Sequence, residues 1–136
     1  MNKLLTASFL IFMAASGNAA EPLPEVRSTT IEYSTPRAAY DALRRMQDVA
    51  FSKDDSGWTV AFDKASAVIW SFAPDASFPV VVKRTPIEKD GHLFIAMDVL
   101  CRGAKEACDD VVRRYTAINE QIARDARMNE NQVIGK

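Results

Sequence analysis

Apolar residues recur along this chain at two different periods, and the change of period marks the elements. Ala39, Tyr40, Leu43 and Met46 follow helical spacing, with Arg37, Asp41, Arg44 and Arg45 between them. Thr35-Pro36 precedes them, a hydroxyl cap followed by proline at the first helical position. The pattern predicts an amphipathic helix ending near Gln47. From Val49 the period becomes two. Val49 and Phe51 alternate with small or polar residues, Asp54-Asp55-Ser56-Gly57 is turn chemistry, and Trp58, Val60 and Phe62 resume the alternation. A turn centred on Asp55-Ser56 pairs Phe51 with Val60 and Val49 with Phe62. After Lys64-Ala65-Ser66, a three-residue turn pairs Val60 with Trp70 and Trp58 with Phe72. A short edge strand is expected over 30–33.

The hairpin Val80 to Cys101 carries the clearest signal. Asp90-Gly91 is a strong two-residue turn. It pairs Val80 with Cys101, Val82 with Val99 and Arg84 with Met97. On the other face it pairs Lys83 with Asp98, Thr85 with Ala96 and Ile87 with Phe94. Pro86 cannot donate to a ladder, which points to an edge or a bulge. Ala104, Cys108, Val111, Tyr115, Ile118 and Ile122 then form one apolar stripe, about 27 Å long at helical rise, on a helix from about 104 to 127. Asp109–Arg113, Asp110–Arg114 and Glu120–Arg124 are at ion-pair spacing.

These faces assemble into an α+β domain: an antiparallel sheet of about five strands, with an N-terminal helix and a long C-terminal helix packed on one face. Val49, Phe51, Trp58, Val60, Phe62, Val68, Trp70, Phe72, Val80, Val82, Leu93, Ile95, Met97 and Val99 are expected to line that face. The other face is semi-polar and open, able to stand in water or to receive a partner. Its apolar strip is Ile69, Val81, Ile87, Phe94 and Leu100, framed by Lys83 and Asp98 as an exposed charge pair.

The N-terminal pattern adds an address. Lys3, the apolar run Leu4 to Ala15, and Gly17, Ala19 and Ala20 have the order of a signal peptide over residues 1–20. The run is too short to span a bilayer. Export to the periplasm or the medium is therefore expected, with no stable membrane insertion after cleavage. Residues 21–34 then form a leader, 35–128 a single domain and 129–136 a frayed tail. Cys101 and Cys108 are the two cysteines, and an even pair in an exported chain reads as a disulfide. It would staple the last strand to the last helix.

Composition changes the picture mainly by exclusion. With 48% hydrophobic and 26% charged residues the chain is globular rather than disordered. A formal net charge of -1 provides no basic field for nucleic acid. There is no glycine-rich phosphate loop, no G-x-S-x-G, no H-E-x-x-H and no calcium loop in the sequence. His92 follows a hairpin turn with Lys89 as its expected neighbour, Asp54-Asp55 belong to a turn, and Trp58 and Trp70 read as core. Arg44-Arg45 and Arg113-Arg114 have acids beside them. No catalytic residue, metal ligand or cofactor is assigned. The leading expectation is a small non-enzymatic interaction protein, such as an inhibitor, an immunity factor or an envelope accessory factor. Its partner would be another envelope or secreted protein, bound through the strip Ile69, Val81, Lys83, Ile87, Phe94, Asp98 and Leu100. Second comes a small-ligand carrier with a pocket near Trp58 and Trp70. Third comes a hydrolase using a carboxylate and His92.

Overall fold

A computed structural model describes residues 31–75 and 78–134. The signal peptide expected over 1–20 and the first part of the expected leader, to residue 30, lie outside the described residues. The elements run α1 (Pro36–Leu43), β1 (Val49–Lys53), β2 (Thr59–Asp63), β3 (Val68–Phe72), β4 (Val80–Lys89), β5 (His92–Cys101) and α2 (Lys105–Ile134). The strands form one antiparallel sheet in the order β1-β2-β3-β4-β5. The class is α+β, with one short and one long helix.

Local chemistry accounts for the element ends. Thr35 Oγ1 accepts the Ala38 amide at 3.0 Å, and Pro36 occupies the first turn of α1. The helix stops at Leu43, earlier than its period suggests, because Arg45 and Met46 bond back three residues to Ala42 and Leu43. The segment 31–33 is not a strand, although Ile31 and Tyr33 pack on the core. At the far end α2 continues to Ile134, through the stretch for which the sequence predicts fraying.

The β4–β5 hairpin has the register expected from Asp90-Gly91, pair for pair from Val80↔Cys101 to Lys89↔His92. Both turn residues have positive φ, +54° and +75°, as a primed two-residue turn requires. The first two hairpins are each displaced by one residue. Phe51 faces Ala61 rather than Val60, and Val49 faces Asp63 rather than Phe62. Trp70 faces Ala61 rather than Val60, and Phe72 faces Thr59 rather than Trp58.

The cause is loop length. Asp54 and Trp58 close the first loop through a 3.0 Å backbone bond, leaving three residues at the tip. Gly57 takes φ +80° there, the left-handed position that follows a type I turn in a three-residue hairpin. Asp54 Oδ1 accepts the Ser56 and Trp58 amides and holds the loop. The second loop spans Lys64 to Ala67, with Ala67 at φ +58°. Asp63 closes it through the Ala65 amide and the Ser66 hydroxyl, and that hydroxyl bond holds its carboxyl below the usual range.

A slip of one residue moves a strand's whole apolar set to the other face. The residues expected on one face therefore divide between two. Val49, Phe51, Ala61, Val68, Trp70, Phe72, Val81 and Leu100 pack with Ala39, Tyr40 and Leu43 of α1. Trp58, Val80, Val82, Met97, Val99 and Cys101 pack with Val111, Tyr115 and Ile118 of α2. Val81 and Val82 are consecutive, so they point to opposite faces. The expectation of both helices on one face is corrected: each covers its own side of the sheet.

Cys101 closes β5 and Cys108 lies in the first turn of α2. They form the expected disulfide, with Cα atoms 5.8 Å apart. Replacing both with serine is expected to cost about 2–4 kcal/mol, since the bridge restricts the unfolded chain. Urea denaturation of the oxidised protein and the double variant measures the difference. A loss below about 0.5 kcal/mol would show that packing alone seats α2.

Candidate functional site

The structure disperses the predicted binding strip. Val81 is fully buried beneath α1, and Leu100 packs against the same core. Ile69 lies on the α2 side, facing Arg84 on β4 and Phe62 on β2. Lys83 and Asp98 do face each other, as predicted, yet neither is an exposed framing charge. Asp98 is 7% exposed and the Lys83 side chain 13%. The Lys83 ammonium pairs with Glu32 at 3.3 Å and lies 5.0 Å from the centre of the Trp70 ring. The segment before α1 is what covers this region. Tyr33 packs on Trp70 at 5.8 Å, and burial, with Glu32 beside it, raises the Tyr33 hydroxyl above its ordinary pKa.

Ile87 and Phe94 are the members of the strip that stay together and exposed. They are direct cross-strand partners, 44% and 47% exposed. The pairing of β3 with β4 runs only as far as Arg84, so Thr85–Lys89 pairs with β5 alone. Pro86 lies in this free half, where its missing N–H costs the β3 side no bond. The distal hairpin is thus a two-stranded ribbon with an apolar pair on one surface.

A second constellation, unassigned by the sequence reading, lies in the seam between the sheet and α2. Arg84 is only 8% exposed. Its Nη2 donates to Ser71 Oγ at 3.4 Å, and its guanidinium lies 5.1 Å from the centre of the Tyr115 ring. Ser71 also bonds the Tyr115 hydroxyl. On the far side Arg114 lies 5.8 Å from the Tyr115 ring and 5.5 Å from Trp58, and donates to Ser56 Oγ at 2.9 Å. Arg114 therefore reaches across to the β1–β2 loop, while Asp110 pairs with Arg113. Asn119, one turn beyond Tyr115, is also buried. Burial lowers the Arg84 pKa and raises that of Tyr115, the ordinary penalty on charge in a dry site. The signal was present in the sequence: Arg84 opposite Met97 puts a charge on the core-facing register.

The other candidates resolve into structural roles. His92 is exposed at the ribbon turn. Asp54 caps its loop through two amides, so the Asp54-Asp55 pair does not converge on a common point. Trp58 and Trp70 are both buried, as core residues, in clusters on opposite faces, so the two do not line one common pocket. A hollow of about 100 Å³ touches Trp70, Tyr33, Lys83 and Asp63. That is well below the roughly 300–1,000 Å³ of small-molecule pockets. Among the described residues no group of three His, Cys, Asp or Glu side chains is placed to hold a metal ion. Among them, too, no helix is long and apolar enough to cross a membrane. Comparison with protein-family models, with curated proteins and with solved structures finds no match for this chain.

Proposed function

We propose that this chain is a small exported, non-enzymatic protein that binds another envelope or secreted protein through the distal β4–β5 ribbon. The observation that carries this reading is the Ile87–Phe94 pair. Two large apolar side chains lie directly opposite each other, nearly half exposed, on a ribbon with no strand of its own sheet beside either edge. An apolar centre of this kind, framed by the charged turn residues Glu88, Lys89 and Asp90, has the composition of a protein contact. The disulfide supports an oxidising compartment.

A photo-crosslinking amino acid at position 94, in cells expressing the protein, tests the reading. A discrete adduct is expected, absent when the probe stands at exposed Lys53 and reduced at least about tenfold by Ile87→Asp, as for loss of a contact hot spot. Both variants should keep the wild-type unfolding midpoint within a few degrees, because neither side chain belongs to a core cluster. No adduct at position 94, or one indifferent to Ile87→Asp, would place the interface elsewhere.

A further inference from the structure

Arg84 poses a physical problem that points to a ligand. Moving a guanidinium out of water costs several kcal/mol, and buried arginines are ordinarily matched by a carboxylate. Among the described residues none is within ion-pair distance of Arg84, whose only hydrogen bond is the long one to neutral Ser71. Its Nε is buried and has no hydrogen-bond partner among the described residues. Asp54 is the carboxylate whose charge reaches it, and Asp54 Oδ1 is already held by the two loop amides. Among the described residues the Oδ1 of Asn119, buried one turn beyond Tyr115 on α2, also has no hydrogen-bond partner. Arg114 also lies against Tyr115, 5.8 Å from the ring centre.

The surface beside Arg84 is apolar and partly open. Phe62, Ile69 and Arg84 are successive cross-strand neighbours on one face, the face on which α2 packs, and neither Phe62 nor Ile69 belongs to the cluster that α2 builds there. Phe62 is 39% exposed and Ile69 partly so. An apolar shelf therefore leads directly to an unmatched buried cation.

We propose that the seam between α2 and the sheet binds a small amphiphilic carboxylate, its head on Arg84 and its apolar body along Ile69 and Phe62. A carboxylate matches the planar guanidinium fork and can accept the idle Nε–H. Its single negative charge neutralises the single buried positive one, whereas a dianion would leave net charge in a dry site. This site is separate from the ribbon surface: Ile87 shares β4 with Arg84, but three residues along a strand it points to the opposite face of the sheet, as does its partner Phe94.

The test uses the oxidised mature protein and three probes: octanoate, acetate and octanol. Binding is read from the Nε–H resonance of Arg84 by NMR and from the unfolding midpoint. Octanoate is expected to shift that resonance and raise the midpoint. Acetate and octanol, each lacking one half of the ligand, are expected to bind at least about tenfold more weakly. Arg84→Gln should weaken octanoate by about tenfold or more, while Arg84→Lys restores part of the loss. Phe62→Ser, at an exposed position that leaves the fold intact, should weaken octanoate without affecting acetate. If octanoate leaves the Arg84 resonance and the midpoint unchanged, the seam holds only water and the proposal fails. It fails equally if Phe62→Ser and Arg84→Gln bind octanoate like the wild type, or if octanol binds as well as octanoate.

Discussion

Phe72→Ala is expected to destabilise the protein by about 3–5 kcal/mol, the range for deleting a fully buried phenylalanine from a core. Phe72 is entirely inaccessible and sits at the centre of an aromatic group on the α1 side. Tyr40 meets its ring edge-on at 5.4 Å and Phe78 at 5.7 Å, while Tyr40 and Phe78 stack on each other at 4.5 Å. Removing the ring leaves a void that these partners cannot all close. The loss also falls on α1. A helix of eight residues has no stability of its own, so its hold depends on what Ala39, Tyr40 and Leu43 pack against. Urea denaturation should show a lower midpoint with an unchanged slope, and amide exchange in α1 should accelerate more than in α2. A loss below about 1.5 kcal/mol would mean that α1 is not a fixed lid on that face.

What the sequence revealed and what it concealed have a common physical cause. Asp90-Gly91 permits one turn geometry, and ten strand pairs follow from it without ambiguity. Asp54-Asp55-Ser56-Gly57 permits either a two-residue tip or a three-residue tip with Gly57 left-handed, and the choice changes the parity of every residue beyond it. Hydrophobicity could not arbitrate, because the sheet is covered on both faces. Val80-Val81-Val82 and Val68-Ile69-Trp70 are apolar at both parities, as strands between two layers are. Those unbroken runs were the available sign that α1 and α2 lie on opposite sides.

The same ambiguity governed the candidate site. With one helix assigned to the wrong face, Val81 and Leu100 counted as surface, although they pack beneath α1. Ile87 and Phe94 share that hairpin register with Val81 and Leu100, and stay exposed because they lie beyond Arg84, where the β3 pairing ends, and outside both core clusters. Arg84 was placed correctly opposite Met97. Its meaning depended on Tyr115 reaching it from α2, a tertiary contact that no local pattern encodes.

Asp98→Lys separates the two pictures of that face most sharply. On an open sheet face, Lys83 and Asp98 would be a solvated pair worth about 0.2–1 kcal/mol and screened by salt. The structure instead places Asp98 out of water, opposite a lysine whose side chain is largely covered. Lys83 already stands over the Trp70 ring and against Glu32, so it has little freedom to swing away. A second ammonium facing it would place two like charges in a largely covered site, with Glu32 as the carboxylate bonded to Lys83. The expected loss is about 3–5 kcal/mol, the range for leaving a buried charge uncompensated, and it should persist in concentrated salt. Desolvation, rather than charge alone, is the cause, so removing both charges is expected to recover most of the stability. Lys83→Met combined with Asp98→Leu should unfold within about 1.5 kcal/mol of the wild type in urea. A loss from Asp98→Lys of under about 1 kcal/mol that vanishes in 1 M salt, about a 3 Å screening length, would instead return Asp98 to the solvent-exposed face.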